Sequence, residues 1–149
     1  MKFKIRALGA LAGIFAFGVL ANVASAADRA YTEGSVLNVS SIRTEPGMFD
    51  AYMTYLAGTY KQLMEEQKKA GIILDYAVYS AVPQRPGDPD IYLVTTYKNM
   101  AALDGLADRT DAIQQKLIGD MAQRSAAMVA RGKLRTLGGS QLIRQLILK

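Results

Sequence analysis

Neither cysteine nor histidine occurs among the 149 residues, and both absences narrow the chemistry open to the chain. Without cysteine there are no disulfide staples, no thiol nucleophile and no thiolate metal site. Without histidine there is no imidazole to act as a triad base, no side chain that titrates near neutrality at its ordinary pKa, and no usual ligand for zinc or haem. Chemistry in this chain rests on carboxylates, Lys, Arg, Tyr, Ser or Thr, or on a group bound from outside. The residues themselves carry no catalytic motif, and the expectation is no catalytic residue that can be named, no metal and no cofactor. An internal repeat and a low-complexity linker are also missing.

A further lack is charge between Arg6 and Asp28. Lys2, Lys4 and Arg6 precede an apolar run from Ala7 to about Val23, which closes on Ala24-Ser25-Ala26 with small residues at the first and third positions. This pattern predicts a secretory signal peptide over residues 1–26, cut after Ala26, and a single domain over 27–149. The rival reading is an uncleaved anchor, since about 20 apolar residues cross a bilayer. Gly9, Gly13 and Gly18 dilute the segment, and Asn22 lies near its end. Lipid attachment is excluded by the missing cysteine, and no paired arginines point to the twin-arginine route. The expected location is periplasmic or secreted, with the membrane met only in transit.

Export also changes the charge balance. Three of the 18 basic residues leave with the signal peptide, so 15 stand against the 13 acidic ones, a net +2. That is too little for the basic footprint of nucleic-acid binding, and no nucleic-acid partner is expected. About 120 residues suffice for one hydrophobic core without staples.

The mature chain alternates from Val36 to Arg43, with Leu37 and Val39 on one side and Asn38 and Ser40 on the other, a strand pattern. Thr44-Glu45-Pro46-Gly47 breaks it, and Pro46 is placed to open a helix. Phe49, Tyr52, Met53, Leu56, Tyr60, Leu63 and Met64 recur at helical spacing up to a stop near Gly71. This stripe reads as core, with a ligand box as the sharper alternative. Strands are predicted over 72–81 and 90–98, joined by the proline-rich loop 83–89. Asp88 and Asp90 read as turn chemistry, because the other ligands of a calcium loop are missing. Asn99 caps a short helix through Leu106, and Asp108 or Thr110 caps a longer one whose stripe includes Ile113, Leu117, Met121 and Met128. Asp104, Asp108 and Asp111 suit helix starts better than a magnesium site. Arg124, Arg131, Lys133 and Arg135 read as a solvated cationic end. Gly138-Gly139 reads as a turn, and Leu142 to Leu148 as the last strand.

Strand, helix, strand, strand, helix, strand is the order of an α+β ferredoxin-like layer: a four-stranded antiparallel sheet with the helices on one face. The other face is not wet. The last strand sets Leu142, Leu146 and Leu148 against Ile143 and Ile147, and the third sets Ile91 and Leu93 against Tyr92 and Val94. A second copy of the chain is the simplest cover, so a homodimer is expected.

From about Val36 to Lys149 the chain resembles the dimeric α/β-barrel superfamily, including its NIPSNAP-like, stress-responsive barrel and antibiotic-biosynthesis monooxygenase families. The resemblance rests on Pro46-Gly47-Met48-Phe49-Asp50-Ala51-Tyr52, Lys69-Ala70-Gly71 and Tyr97-Lys98-Asn99-Met100-Ala101-Ala102. It implies two sheets packed face to face around a cavity for a small hydrophobic or aromatic molecule. Members include cofactor-independent monooxygenases, isomerases and haem-degrading enzymes; the haem branches depend on a histidine that this chain lacks.

Asn38, Ser40, Tyr76, Tyr92 and Arg144 are the ligand-binding candidates for that inter-sheet space. Tyr92 and Tyr97 exchange faces with a one-residue slip of register. Arg144, between apolar neighbours, calls for an anion or a carboxylate, with Asp75 as the protein's own candidate. The leading reading is an exported homodimer that binds a small molecule. The alternatives are a cofactor-independent monooxygenase or isomerase using Tyr92 or a buried carboxylate, and a structural module without ligand.

Overall fold

Alternating apolar residues on the strands and helical stripes between them settle into the predicted order, and the computed structural model describes residues 29–149. The predicted signal segment and its cut after Ala26 lie outside the described residues. Strand β1 (Tyr31–Thr44) leads into helix α1 (Phe49–Tyr55), a π-helical turn (Leu56–Tyr60) and helix α2 (Lys61–Lys69). Strands β2 (Asp75–Ser80) and β3 (Ile91–Tyr97) follow, then a 3-10 turn (Met100–Leu103), helices α3 (Leu106–Leu117) and α4 (Met121–Gly132), and strand β4 (Arg135–Leu148). The sheet order is β2-β3-β1-β4, every neighbouring pair antiparallel. Among the described residues no helix is long and apolar enough to cross a membrane.

Register decides which side chains meet the helices, because residues paired across strands share a face. Val36 pairs with Tyr97 and Ile42 with Ile91. Each pair seeds one half of the core. Val36 and Tyr97 pack with Ile72 and Ile73 under Met64, Leu106 and Ile113. Ile42 and Ile91 pack with Tyr52 and Leu56. Between the two halves the same face of β1 carries Asn38, paired with Thr95, and Ser40, paired with Leu93. A polar band therefore divides the core below the helices.

The opposite face carries Leu37, Val39, Ala77, Tyr79, Tyr92, Val94, Ile143 and Ile147, by the same pairing. Tyr79, Ile143 and Ile147 are 56%, 47% and 49% exposed. The expectation of an apolar second face holds.

Several local expectations change. Helix α1 begins at Phe49, after a turn in which the Glu45 carbonyl accepts from Met48 N at 2.8 Å. Ile72 and Ile73 are buried ahead of β2 rather than in it. Helix α3 starts at Leu106 after Gly105, not at a cap on Asp108 or Thr110. The long final helix is split at Ile118–Asp120, where Gly119 takes a φ of 112°. A new helix then starts on a capping box: Asp120 Oδ1 accepts from Gln123 N at 2.9 Å, and Gln123 Oε1 accepts from Asp120 N at 2.9 Å. Gly138-Gly139 is no turn. Ser41 pairs with Gly139 and Ile42 with Leu137, which leaves Gly138 as the extra residue of a β-bulge inside β4. A Cβ at Gly138 would come within 3.2 Å of Ser41 Cβ, so the close approach of the strands explains the glycine. Turn chemistry at the prolines holds: Asp88 Oδ2 accepts from Gln84 N at 3.2 Å and Arg85 N at 3.0 Å.

Candidate functional site

Asn38, Ser40, Tyr76 and Arg144 lie on the helix-facing side of the sheet and Tyr92 on the outer side, so the five do not form one site. Val36 and Ile42 are fixed in the core, and their parity carries Asn38 and Ser40 inward with them rather than toward an inter-sheet space. Tyr97 is buried under the helices and Tyr92 faces away, which resolves the register question. Tyr76 donates to Glu65 Oε1 at 2.7 Å and meets the Tyr60 ring edge-on at 6.0 Å. Arg144 pairs with Glu33 at 2.5 Å, not with Asp75, whose carboxylate is held by Lys68 at 2.8 Å. The physical reason is that β4 pairs with β1 at one edge of the sheet while Asp75 lies on β2 at the other.

Ser40 belongs to a cleft between the sheet and the helices. Tyr52, Tyr55 and Tyr60 roof it, Ile42, Leu93 and Leu137 line its floor, and Arg131 and Arg135 stand at one side, enclosing about 200 Å³. Two further hollows share residues with it. One of about 520 Å³ runs between Tyr55, Thr59 and Leu117 and the α4 residues Ala127 and Ala130; the other, of about 540 Å³, lies along Met128 and Thr136. Arg131 borders all three.

The roof depends on the π-helical turn. Lys61 N–H donates to the carbonyl of Leu56, five residues back, in place of the usual four. In a regular α-helix, residues five apart point about 140° away from each other. Widening the turn brings Tyr55 and Tyr60 onto the same side, and both line the cleft. Gly58 lies inside this turn, where a residue without a Cβ loosens the helix.

Tyr52 is fully buried, its ring stacked on Tyr55 at 5.8 Å. The Tyr55 hydroxyl accepts from Arg131 Nη1 at 2.7 Å, and the Arg135 guanidinium lies 5.9 Å from the Tyr52 ring centre. Four buried polar atoms here have no hydrogen-bond partner: the hydroxyls of Tyr52 and Tyr60 and the Nε atoms of Arg131 and Arg135. Arg135 lies near the Tyr52 hydroxyl and Thr95 near that of Tyr60, in each case without closing a bond of good geometry. Burial pushes the Tyr60 phenol up to about 12, partly offset by Thr95. Burial also raises Tyr52, against the opposing pull of Arg135 and Arg131. Both phenols are thus protonated donors near neutral pH.

Sequence reasoning placed Tyr52 and Tyr60 in an ordinary core stripe and the arginines on a solvated face. Arg124 and Lys133 fit the second reading in part: Arg124 bridges to Asp111 at 2.6 Å and Lys133 is exposed. Arg131 and Arg135 turn inward. Among the described residues no group of three acidic side chains is arranged to hold a metal ion.

No protein-family model matches the sequence, and no curated protein does. Solved structures do. HapK from Hahella chejuensis is 12% identical, aligned over 74% of this chain and 91% of its own with a TM-score of 0.51. Protein SO0527 from Shewanella oneidensis is 14% identical over 78% of this chain and 96% of its own, TM-score 0.50. A dimeric ferredoxin-like protein from an uncultured marine organism aligns at 9% identity and TM-score 0.48 over 79% of this chain and 98% of its own. The strand order and the structural matches together give this chain a ferredoxin-like α+β fold.

Proposed function

We propose that the protein is an exported homodimer in which each protomer holds a small hydrophobic or aromatic molecule in the cleft between helices and sheet. One observation carries the binding reading: the hydroxyls of Tyr52 and Tyr60 are buried without partners beside an open cleft. Buried polar groups are nearly always hydrogen-bonded, so two without a bond of good geometry at one cleft support a ligand there. The central space of about 200 Å³ is small, and the hollows of about 520 and 540 Å³ that border it at Arg131 are each in the range of ligand pockets. The apolar outer face of the sheet supports the homodimer, and the pattern of residues 1–26 supports export.

Native mass spectrometry of the mature protein purified from its host is expected to show a retained small molecule, lost in Tyr52→Phe/Tyr60→Phe. A ligand-free protein that no aromatic compound protects against heat would refute the reading. The cofactor-independent enzyme is the second reading. No carboxylate lines the cleft, so proton abstraction there would fall to tyrosine. With Tyr60 pushed up to about 12, that phenol is a weak source of base near neutral pH, which favours binding over catalysis.

A further inference from the structure

We infer that the molecule held in this cleft is an organic carboxylate on a flat, unsaturated body, with its charge taken by Arg131 and Arg135. The inference rests on the binding reading above and goes further by fixing the chemical class of the ligand.

Elsewhere the chain gives its partly buried arginines a carboxylate: Arg124 has Asp111 and Arg144 has Glu33. Arg131 and Arg135 have none within salt-bridge distance among the described residues. Their surroundings are phenol rings and aliphatic side chains, and the Nε atom of each is buried without an acceptor. Two like charges so placed repel each other, and what the chain offers them, the Tyr55 hydroxyl for Arg131 and the faces of the Tyr55 and Tyr52 rings, brings no negative charge to balance them.

The polar groups converging there are donors. Both guanidiniums carry only N–H groups. The Tyr52 and Tyr60 hydroxyls keep their protons, and the Tyr55 oxygen, already accepting from Arg131, has its own proton left to give. A set of donors beside two uncompensated cations matches an acceptor that brings negative charge, and a carboxylate meets a guanidinium fork through two parallel bonds. The remaining walls, Ile42, Leu93, Leu137 and the faces of the tyrosine rings, suit a flat apolar body, and the one other polar group, the Ser40 hydroxyl, is bonded to that of Ser140 at 2.8 Å. A neutral aromatic would fill the same space and leave both cations uncompensated.

The test is to titrate the mature protein with naphthoate and with its uncharged isostere naphthamide by calorimetry. Naphthoate is expected to bind at least about tenfold more tightly, the worth of one charge-assisted hydrogen bond. Arg135→Gln should narrow the gap by weakening naphthoate alone, Arg131 keeping part of it, and Arg135→Lys should restore some of what is lost. Circular dichroism of both variants checks that the fold is kept. Equal affinities in the wild type would overturn the inference and leave the binding reading standing. If neither compound binds or raises the melting temperature, the binding reading fails and the inference with it.

Discussion

A phenol hydroxyl buried with nothing to bond is a cost to the folded chain, and Tyr52 and Tyr60 each carry one. The cost of leaving such a group unmade is about 1–3 kcal/mol. Tyr52→Phe, which removes the oxygen and keeps the ring on Tyr55, is therefore expected to stabilise the free protein by about 1 kcal/mol in urea denaturation. The same change should weaken ligand binding. Gain of stability with loss of binding marks a polar group kept for contact with a ligand. A destabilised Tyr52→Phe would mean that its hydroxyl has a bond in the native protein after all. Tyr60 gives a pH signature. Its phenol ionises at about 12 in the folded chain, against about 10 unfolded. The folded state therefore favours the neutral form. Its contribution is intact below about 10 and is lost as pH rises through about 12. Tyr76 is likewise pushed up to about 12, so alkaline titration followed by tyrosinate absorbance should show a late step that Tyr60→Phe reduces by one phenol without abolishing it, and the variant should lose less stability across that window.

At the scale of elements, β1 was legible because it packs one face on the helices, which writes a period of two into the chain, and the later strands were legible as short runs apolar on both alternations. Helix α1 was legible for the corresponding reason at a period of three and four. The breaks were not. Ile113, Leu117, Met121 and Met128 continue an apolar stripe straight across the split at Gly119, and the signal lay instead in Asp120 and Gln123, spaced as a capping box. Gly138-Gly139 looks like a turn in one dimension, because a bulge is defined by the partner strand and not by its own residues. The cleft was hidden for similar reasons. A cation late in a helix reads the same whether it points to water or inward, and the joint placing of Tyr55 and Tyr60 needs a π-helical turn that spacing does not announce. Helix α4 carries Arg131 to the cleft and Ala127 and Ala130 to the hollow beside it, so its start should matter to the site. Asp120→Ala is expected to cost about 1 kcal/mol of stability in denaturant unfolding. Gly119→Ala should cost more, since the positive φ adds about 1–2 kcal/mol and a Cβ there would run into Gln123. Equal effects of the two would show that the linker relaxes around Gly119.

For the molecule as a whole, the outer face of the sheet and the cleft are separate surfaces, and that separation can be tested. Leu37, Val39, Tyr92, Val94 and Ile143 share the face turned away from the helices, and β4 adds the half-exposed Ile147. A stable dimer buries about 1,200–2,000 Å² in total, which a four-stranded face of this kind can supply from two copies. Size-exclusion chromatography with light scattering should therefore find a dimer at micromolar concentration. Ile143→Glu is the substitution of choice for breaking it. Ile143 is 47% exposed in the protomer, so the change spares the protomer's own core and buries an unpaired charge in the dimer alone. The expected product is a folded monomer with unchanged circular dichroism. Its behaviour toward naphthoate then locates the ligand. Every residue of the cleft, from Ser40 to Leu137, lies on the helix side of one chain. A monomeric Ile143→Glu that binds as tightly as the wild type places the ligand beneath the helices. Binding lost together with the dimer would return it to the space between the two sheets, where Tyr92 faces.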